Sequence, residues 1–96
     1  MLIFQTFDDN MKFTDQQLLD AHEHTMGNRH EIERSMKCAC FDCGEIYDAS
    51  EVTEWIDNGN TALCPHCGMD CVMGDASGYE FTPQFLRVMC QRWIAE

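Results

Sequence analysis

Apolar residues crowd the start of the chain. Residues 2–7, Leu-Ile-Phe-Gln-Thr-Phe, form a β-favouring run that the Asp-Asp-Asn turn at 8–10 closes. Thr14 then opens a helix signature, with Gln17 at the reciprocal position of a capping box and Asp15 in the first turn. Leu18, Leu19 and Ala21 supply a modest apolar stripe. Gly27-Asn28 interrupts it, and Asn28 is placed to cap a second helix running to Arg34 or Met36.

Further along, the pattern changes to short runs. The sequence Val-Thr-Glu-Trp-Ile at 52–56 and Thr-Ala-Leu at 61–63 flank an Asn58-Gly59 pair, a strong hairpin signal, and predict two antiparallel strands. Helix is the competing reading for 50–56. Residues 74–79, with two glycines, read as a loop. Thr82-Pro83 is an N-cap and N1 pair for a final helix, on which Phe85, Leu86, Met89 and Trp93 share one face.

Ninety-six residues make a small domain, and chains of this size often rely on a metal, disulfides or a partner. Residues 1–7 lack the basic region of a signal peptide, and no apolar run approaches the roughly 20 residues that span a bilayer. The expectation is a cytoplasmic protein without a membrane anchor. In that compartment thiols stay reduced and act as ligands or catalysts more often than as bridges.

Seven cysteines sharpen this picture. Cys40 and Cys43 enclose two residues and precede Gly44. Cys64 and Cys67 repeat the spacing and precede Gly68, with twenty residues between the two pairs. Two intervening residues let one tight turn aim both sulfurs at a single ion, and the glycine takes the φ > 0 conformation that ends the turn. Two such knuckles complete a tetrahedral thiolate site, so Cys40, Cys43, Cys64 and Cys67 are the expected ligands of one structural Zn²⁺, with iron in the same geometry as an alternative. Cys64-Pro65-His66-Cys67 also has the form of a redox dithiol, but the βαβ framework such motifs need is absent from the pattern.

The remaining candidates are weaker. Cys38 could replace Cys40, and Cys71 could serve as an alternative ligand, although a small buried apolar role suits it better. Cys90 falls on the last helix. His22, His24 and His30 lie close in sequence, but His22 and His24 cannot share one face of a regular helix. His66 sits inside the second knuckle. Trp55 and Trp93 read as core residues over the hairpin.

The charge excludes more than it assigns. Seventeen acidic residues against six basic ones give −11, and a four-thiolate zinc centre adds about two further negative charges. Such a field repels phosphate backbones and suits a basic protein partner, so direct nucleic-acid binding is disfavoured. Lys12, Arg29, Arg34 and Lys37 are the cations from which a local basic patch could be assembled.

The segments Cys-Ala-Cys-Phe-Asp-Cys, Glu-Trp-Ile-Asp-Asn-Gly-Asn-Thr-Ala-Leu-Cys-Pro-His-Cys-Gly and Gly-Asp-Ala-Ser-Gly-Tyr, followed by a helix ending near Trp93, resemble a family of small bacterial cytoplasmic zinc-ribbon-like proteins. The resemblance runs from Ala21 to Trp93 and leaves out residues 1–20. It implies a metal-binding cytoplasmic fold and no catalytic residue. Cys71 stands where that family usually has serine, and Cys90 where it has histidine or a polar residue.

The expected fold is small α+β: a zinc-ribbon or treble-clef-like β-hairpin with two Cys-x-x-Cys knuckles, an N-terminal helix or helices and a C-terminal helix. Residues 1–37 form a strand and helical lead-in to a zinc-ribbon core at 38–96, within one compact domain. The expected function is a non-enzymatic zinc module that mediates protein–protein interaction or regulation. The alternatives are an acidic, nucleic-acid-mimicking inhibitor of a nucleic-acid-handling enzyme, such as a phage or mobile-element anti-defence protein, and a metal-supported nuclease or dithiol oxidoreductase.

Overall fold

Thr14 makes the capping box its sequence promises. Its hydroxyl accepts from the Gln17 N–H at 3.1 Å while its own N–H donates to Gln17 Oε1 at 2.9 Å. The helix it opens, α1 (Asp15–Glu23), buries Leu18 and Ala21 and leaves Leu19 exposed. In the computed structural model, residues 13–94 are described, and the expected strand at 2–7 and the turn after it lie outside them.

Gly27, at φ +57°, ends the turn after α1, and a short α2 (Arg29–Glu33) follows. Asn28 precedes it without capping it through its side chain. That side chain is buried and used elsewhere. Asn28 Nδ2 donates to the carbonyls of His24 (2.9 Å) and Val72 (2.8 Å), and its Oδ1 accepts from the Ala62 N–H at 3.1 Å. A buried amide that satisfies both its donors and its acceptor joins three segments more tightly than a cap would.

A three-stranded antiparallel sheet carries the centre of the fold. β1 (Lys37–Cys40) lies between β2 (Ile46–Asp48) and β5 (Val72–Gly74), with Cys38 opposite Tyr47 on one side and Gly74 on the other. β3 (Trp55–Ile56) and β4 (Thr61–Ala62) pair separately, Trp55 opposite Ala62. The strands of this hairpin are shorter than its sequence predicts, and a 3₁₀ turn at Ala49–Glu51, closed by the Val52 N–H on the Ala49 carbonyl, precedes them. The Asn-Gly pair lies in a four-residue loop at 57–60, where Asp57, Asn58 and Gly59 all have positive φ, and not in a two-residue turn. Thr61 Oγ1 donates to Asp57, and Arg29 reaches over to donate to the carbonyls of Asn60 and Gly59, tying the loop to α2.

The final helix, α3 (Pro83–Trp93), starts as expected, with Thr82 Oγ1 accepting from the Phe85 N–H at 3.0 Å. It buries Phe85, Leu86, Val88 and Met89 and packs against α1. The core is shared by all these elements: Leu18, Ile32, Cys38, Phe41, Tyr47, Val72, Met73 and Met89 form one buried cluster. Trp55 and Trp93 lie at its margin, half-buried, each under an arginine guanidinium 4.5 Å from the ring centre. They shield the core and do not fill it. The molecule is a small α+β fold of three helices and antiparallel hairpin sheets among its described residues.

Candidate metal centre

The two knuckles are the same local structure made twice. In the first, the Cys40 N–H donates to the Glu45 carbonyl at 3.1 Å and the Gly44 N–H donates to the Cys40 carbonyl at 2.8 Å. In the second, the Cys64 N–H donates to Met69 and the Gly68 N–H to Cys64, each at 2.9 Å. Gly44 at φ +78° and Gly68 at φ +83° close the two turns in a conformation that side-chain-bearing residues resist. The first knuckle is the turn between β1 and β2, and the second links β4 to β5.

The sheet and the second hairpin bring the knuckles face to face. The Sγ atoms of Cys40 and Cys67 are 3.6 Å apart, those of Cys43 and Cys64 are 3.8 Å apart, and all four lie within 4.8 Å of one another. The close pairs join opposite knuckles. Sulfurs placed tetrahedrally around an ion at about 2.3 Å are separated by roughly 3.8 Å, so the four fit a tetrathiolate site. All seven cysteines are free thiols. Cys40 and Cys64 are buried and form the inner half of the site, while Cys43 and Cys67 are exposed.

Backbone dipoles are already aimed at the sulfurs. The His66 N–H lies 3.3 Å from Cys64 Sγ. The Asp42 and Cys43 N–H groups serve Cys40, that of Glu45 serves Cys43, and that of Cys67 also serves Cys64. These donors stabilise negative charge on sulfur. Burial outweighs them at Cys40 and Cys43 and pushes both thiols up. At Cys64 burial also pushes upward, but the Tyr47 hydroxyl, the two N–H groups and the Cys43 thiol prevail and hold it at about 7. Cys38 and Cys71, outside the cluster, are pushed up to about 12 by burial and behave as small apolar residues.

Tyr47 is a part of the site that sequence reasoning missed. Its hydroxyl is buried without a partner of hydrogen-bonding geometry, and it lies beside the Cys64 sulfur. In the sequence it shows only as a tyrosine shortly after the first knuckle, since its inward position belongs to a strand of three residues. His66 stacks on the Tyr47 ring and lies 3.3 Å from Glu51, covering the site's outer side.

The other candidates are placed apart. His24 pairs through Nδ1 with the Glu31 carboxylate at 2.9 Å, and His22 stacks on Trp93 with 4.2 Å between ring centres. Neither belongs to a metal-holding group. Among the described residues, Cys40, Cys43, Cys64 and Cys67 form the group placed to share an ion. Cys38 is fully buried within β1, and Cys90 is half-buried on α3. Arg29 is paired with Glu33 and Lys37 with Asp48, so these two cations build no patch. No described helix is long and apolar enough to cross a membrane. No protein-family model matches the chain, and neither a curated protein nor a solved structure matches it significantly.

Proposed function

We propose that this chain is a zinc-binding module of the zinc-ribbon kind, in which Cys40, Cys43, Cys64 and Cys67 hold one structural Zn²⁺, and that it acts by binding another protein. The observation that carries this reading is the four-sulfur cluster, with its cross-knuckle separations of 3.6 and 3.8 Å. Four soft thiolates in tetrahedral array select zinc or iron over hard cations. Bound there, the ion supplies a cross-link between the two hairpins and presents no open position to a substrate. The chain's own residues do the rest: the knuckle N–H groups and Tyr47 neutralise thiolate charge, and the two glycines hold each pair of sulfurs in one turn. Membership of the small bacterial cytoplasmic zinc-ribbon-like proteins, and a cytoplasmic location, belong to the same proposal.

Elemental analysis and native mass spectrometry of the purified chain test it. One zinc per chain is expected, lost on Cys→Ser substitution at any of the four positions and retained in Cys90→Ser. A chelator should remove the ion and the native circular dichroism spectrum together. Zinc content that survives Cys64→Ser, or a native spectrum after the metal has gone, defeats the structural role.

A further inference from the structure

An open groove of about 380 Å³ runs between the first knuckle and α3. Its floor is apolar: Phe41 and Leu86 lie there with their rings and methyl groups otherwise buried in the core, and Ile46 forms one wall while remaining 48% exposed. Ile46 belongs to β2, an edge strand of the sheet. The opposite edge, β5, is covered by α2 and by the Asn28 bond to Val72. β2 pairs only with β1 among the described residues. Exposed apolar surface beside an edge strand is a common site of partner docking. At this volume, near the lower end of the roughly 300–1,000 Å³ typical of binding pockets, the groove accommodates one or two side chains of a partner.

The charge around it selects the partner. Asp42 lines the groove, and exposed Glu45 lies in the sequence between its lining residues Gly44 and Ile46. Cys43, one of the four candidate ligands, lines the knuckle wall, and a zinc-loaded four-thiolate centre would add negative charge behind it. Arg87 is the cation among the lining residues, and the chain as a whole stands at −11. Nucleic acid is repelled by that field and finds no use for an apolar floor. We propose that this groove is the docking site for a basic amphipathic segment of another protein, an apolar side chain seated between Ile46 and the Phe41–Leu86 floor with a lysine or arginine side chain at Asp42. The proposal rests on the protein-binding reading above and names its surface.

The test uses the zinc-loaded full chain, its metal content confirmed by mass before any peptide is added. Three short helical probes are titrated in ¹⁵N-correlated spectra: one of leucine and lysine, one of leucine and glutamate, and one of serine and lysine. The leucine–lysine probe should bind, with shifts concentrated at 41–46 and 83–91, and the other two should bind at least roughly tenfold more weakly. Ile46→Asn, at an exposed position, should weaken that binding about tenfold by removing the apolar wall. Gln91→Lys, on the groove and exposed, should weaken it by charge alone and lose its effect at high salt. Unchanged affinity in both variants overturns the groove, as does equal binding of the serine–lysine probe. Shifts gathered on another face overturn the groove but leave the protein-binding reading intact. Failure to load zinc is seen beforehand and counts against the metal centre instead.

Discussion

Tyr47 and His66 lie face to face, their ring centres 4.8 Å apart and their planes inclined by 16°. The stack joins the edge strand β2 to the second knuckle and places the Tyr47 hydroxyl over the Cys64 sulfur. A buried hydroxyl without a good partner costs free energy, and a Cys64 thiolate is the acceptor at hand. Tyr47→Phe should therefore preserve the fold and the stack while weakening zinc affinity about tenfold, as outer-shell changes typically do. Competition with a chromophoric chelator measures this. Affinity equal to that of the parent chain would show that the hydroxyl does not serve the centre.

Zinc uptake should depend on pH with a defined sign. Cys40 and Cys43 are held above the ordinary thiol value of 9.0, so both carry protons at neutral pH, whereas Cys64 at about 7 is near half ionised. Binding needs thiolates, so each zinc bound at pH 7 should release at least about two protons, and affinity should fall as pH falls. Cys64 acts in the same direction on the fold itself: its lowered value contributes stability above pH 9 that is lost as pH falls through 7. Proton release in weakly buffered indicator solution, compared at pH 6 and 8, checks the first statement.

Asn28→Ala removes the amide that joins the end of α1 to β4 and β5. The Val72 carbonyl and the Ala62 N–H lose a buried partner, and the cost should be about 2–3 kcal/mol. The shift in urea midpoint of the zinc-loaded protein reports it. Glu33→Ala, at an exposed position of α2, should cost markedly less, since its ion pair with Arg29 is solvent-screened.

Gly74→Ala fails for want of space. A Cβ there overlaps Ser35 Oγ and comes within 3.2 Å of Ile32 Cδ1. Ser35 cannot turn aside without losing its bonds to the Glu31 carbonyl (2.8 Å) and the Ala76 N–H (2.9 Å). A loss of about 1–3 kcal/mol is expected, partly recovered in the double variant with Ser35→Gly. Thermal melts of the three variants form the cycle that tests this coupling.

The helix ends and the ligand cluster were the legible parts. Thr14–Gln17 and Thr82–Pro83 are local signals whose physics is complete within four residues, and Cys-x-x-Cys-Gly states its own turn. Strands β1, β2 and β5 were not legible, since three or four residues are too few to display a period of two. Asn28 was misread for a related reason. Its local context is that of a cap, while the partners that claim its side chain come from strands far along the chain. The Trp pair was placed in the core by type, but stacking beneath Arg29 and Arg92 holds both rings at its margin.

The links that join the helical lead-in and the first knuckle to the rest of this fold run to late chain. Asn28 meets partners 34 and 44 residues downstream, and the sulfur pairs span 21 and 27. Contacts of such separation form slowly, because a large loop must close before any of them is gained. A chain growing from its N-terminus can wind α1 and shape the first knuckle, yet neither has anything to close upon until Cys67 and Val72 have been added. Synthesis halted before that point yields an unclosed strand of polypeptide with free thiols at Cys38, Cys40 and Cys43, and assembly waits on the last third of the molecule.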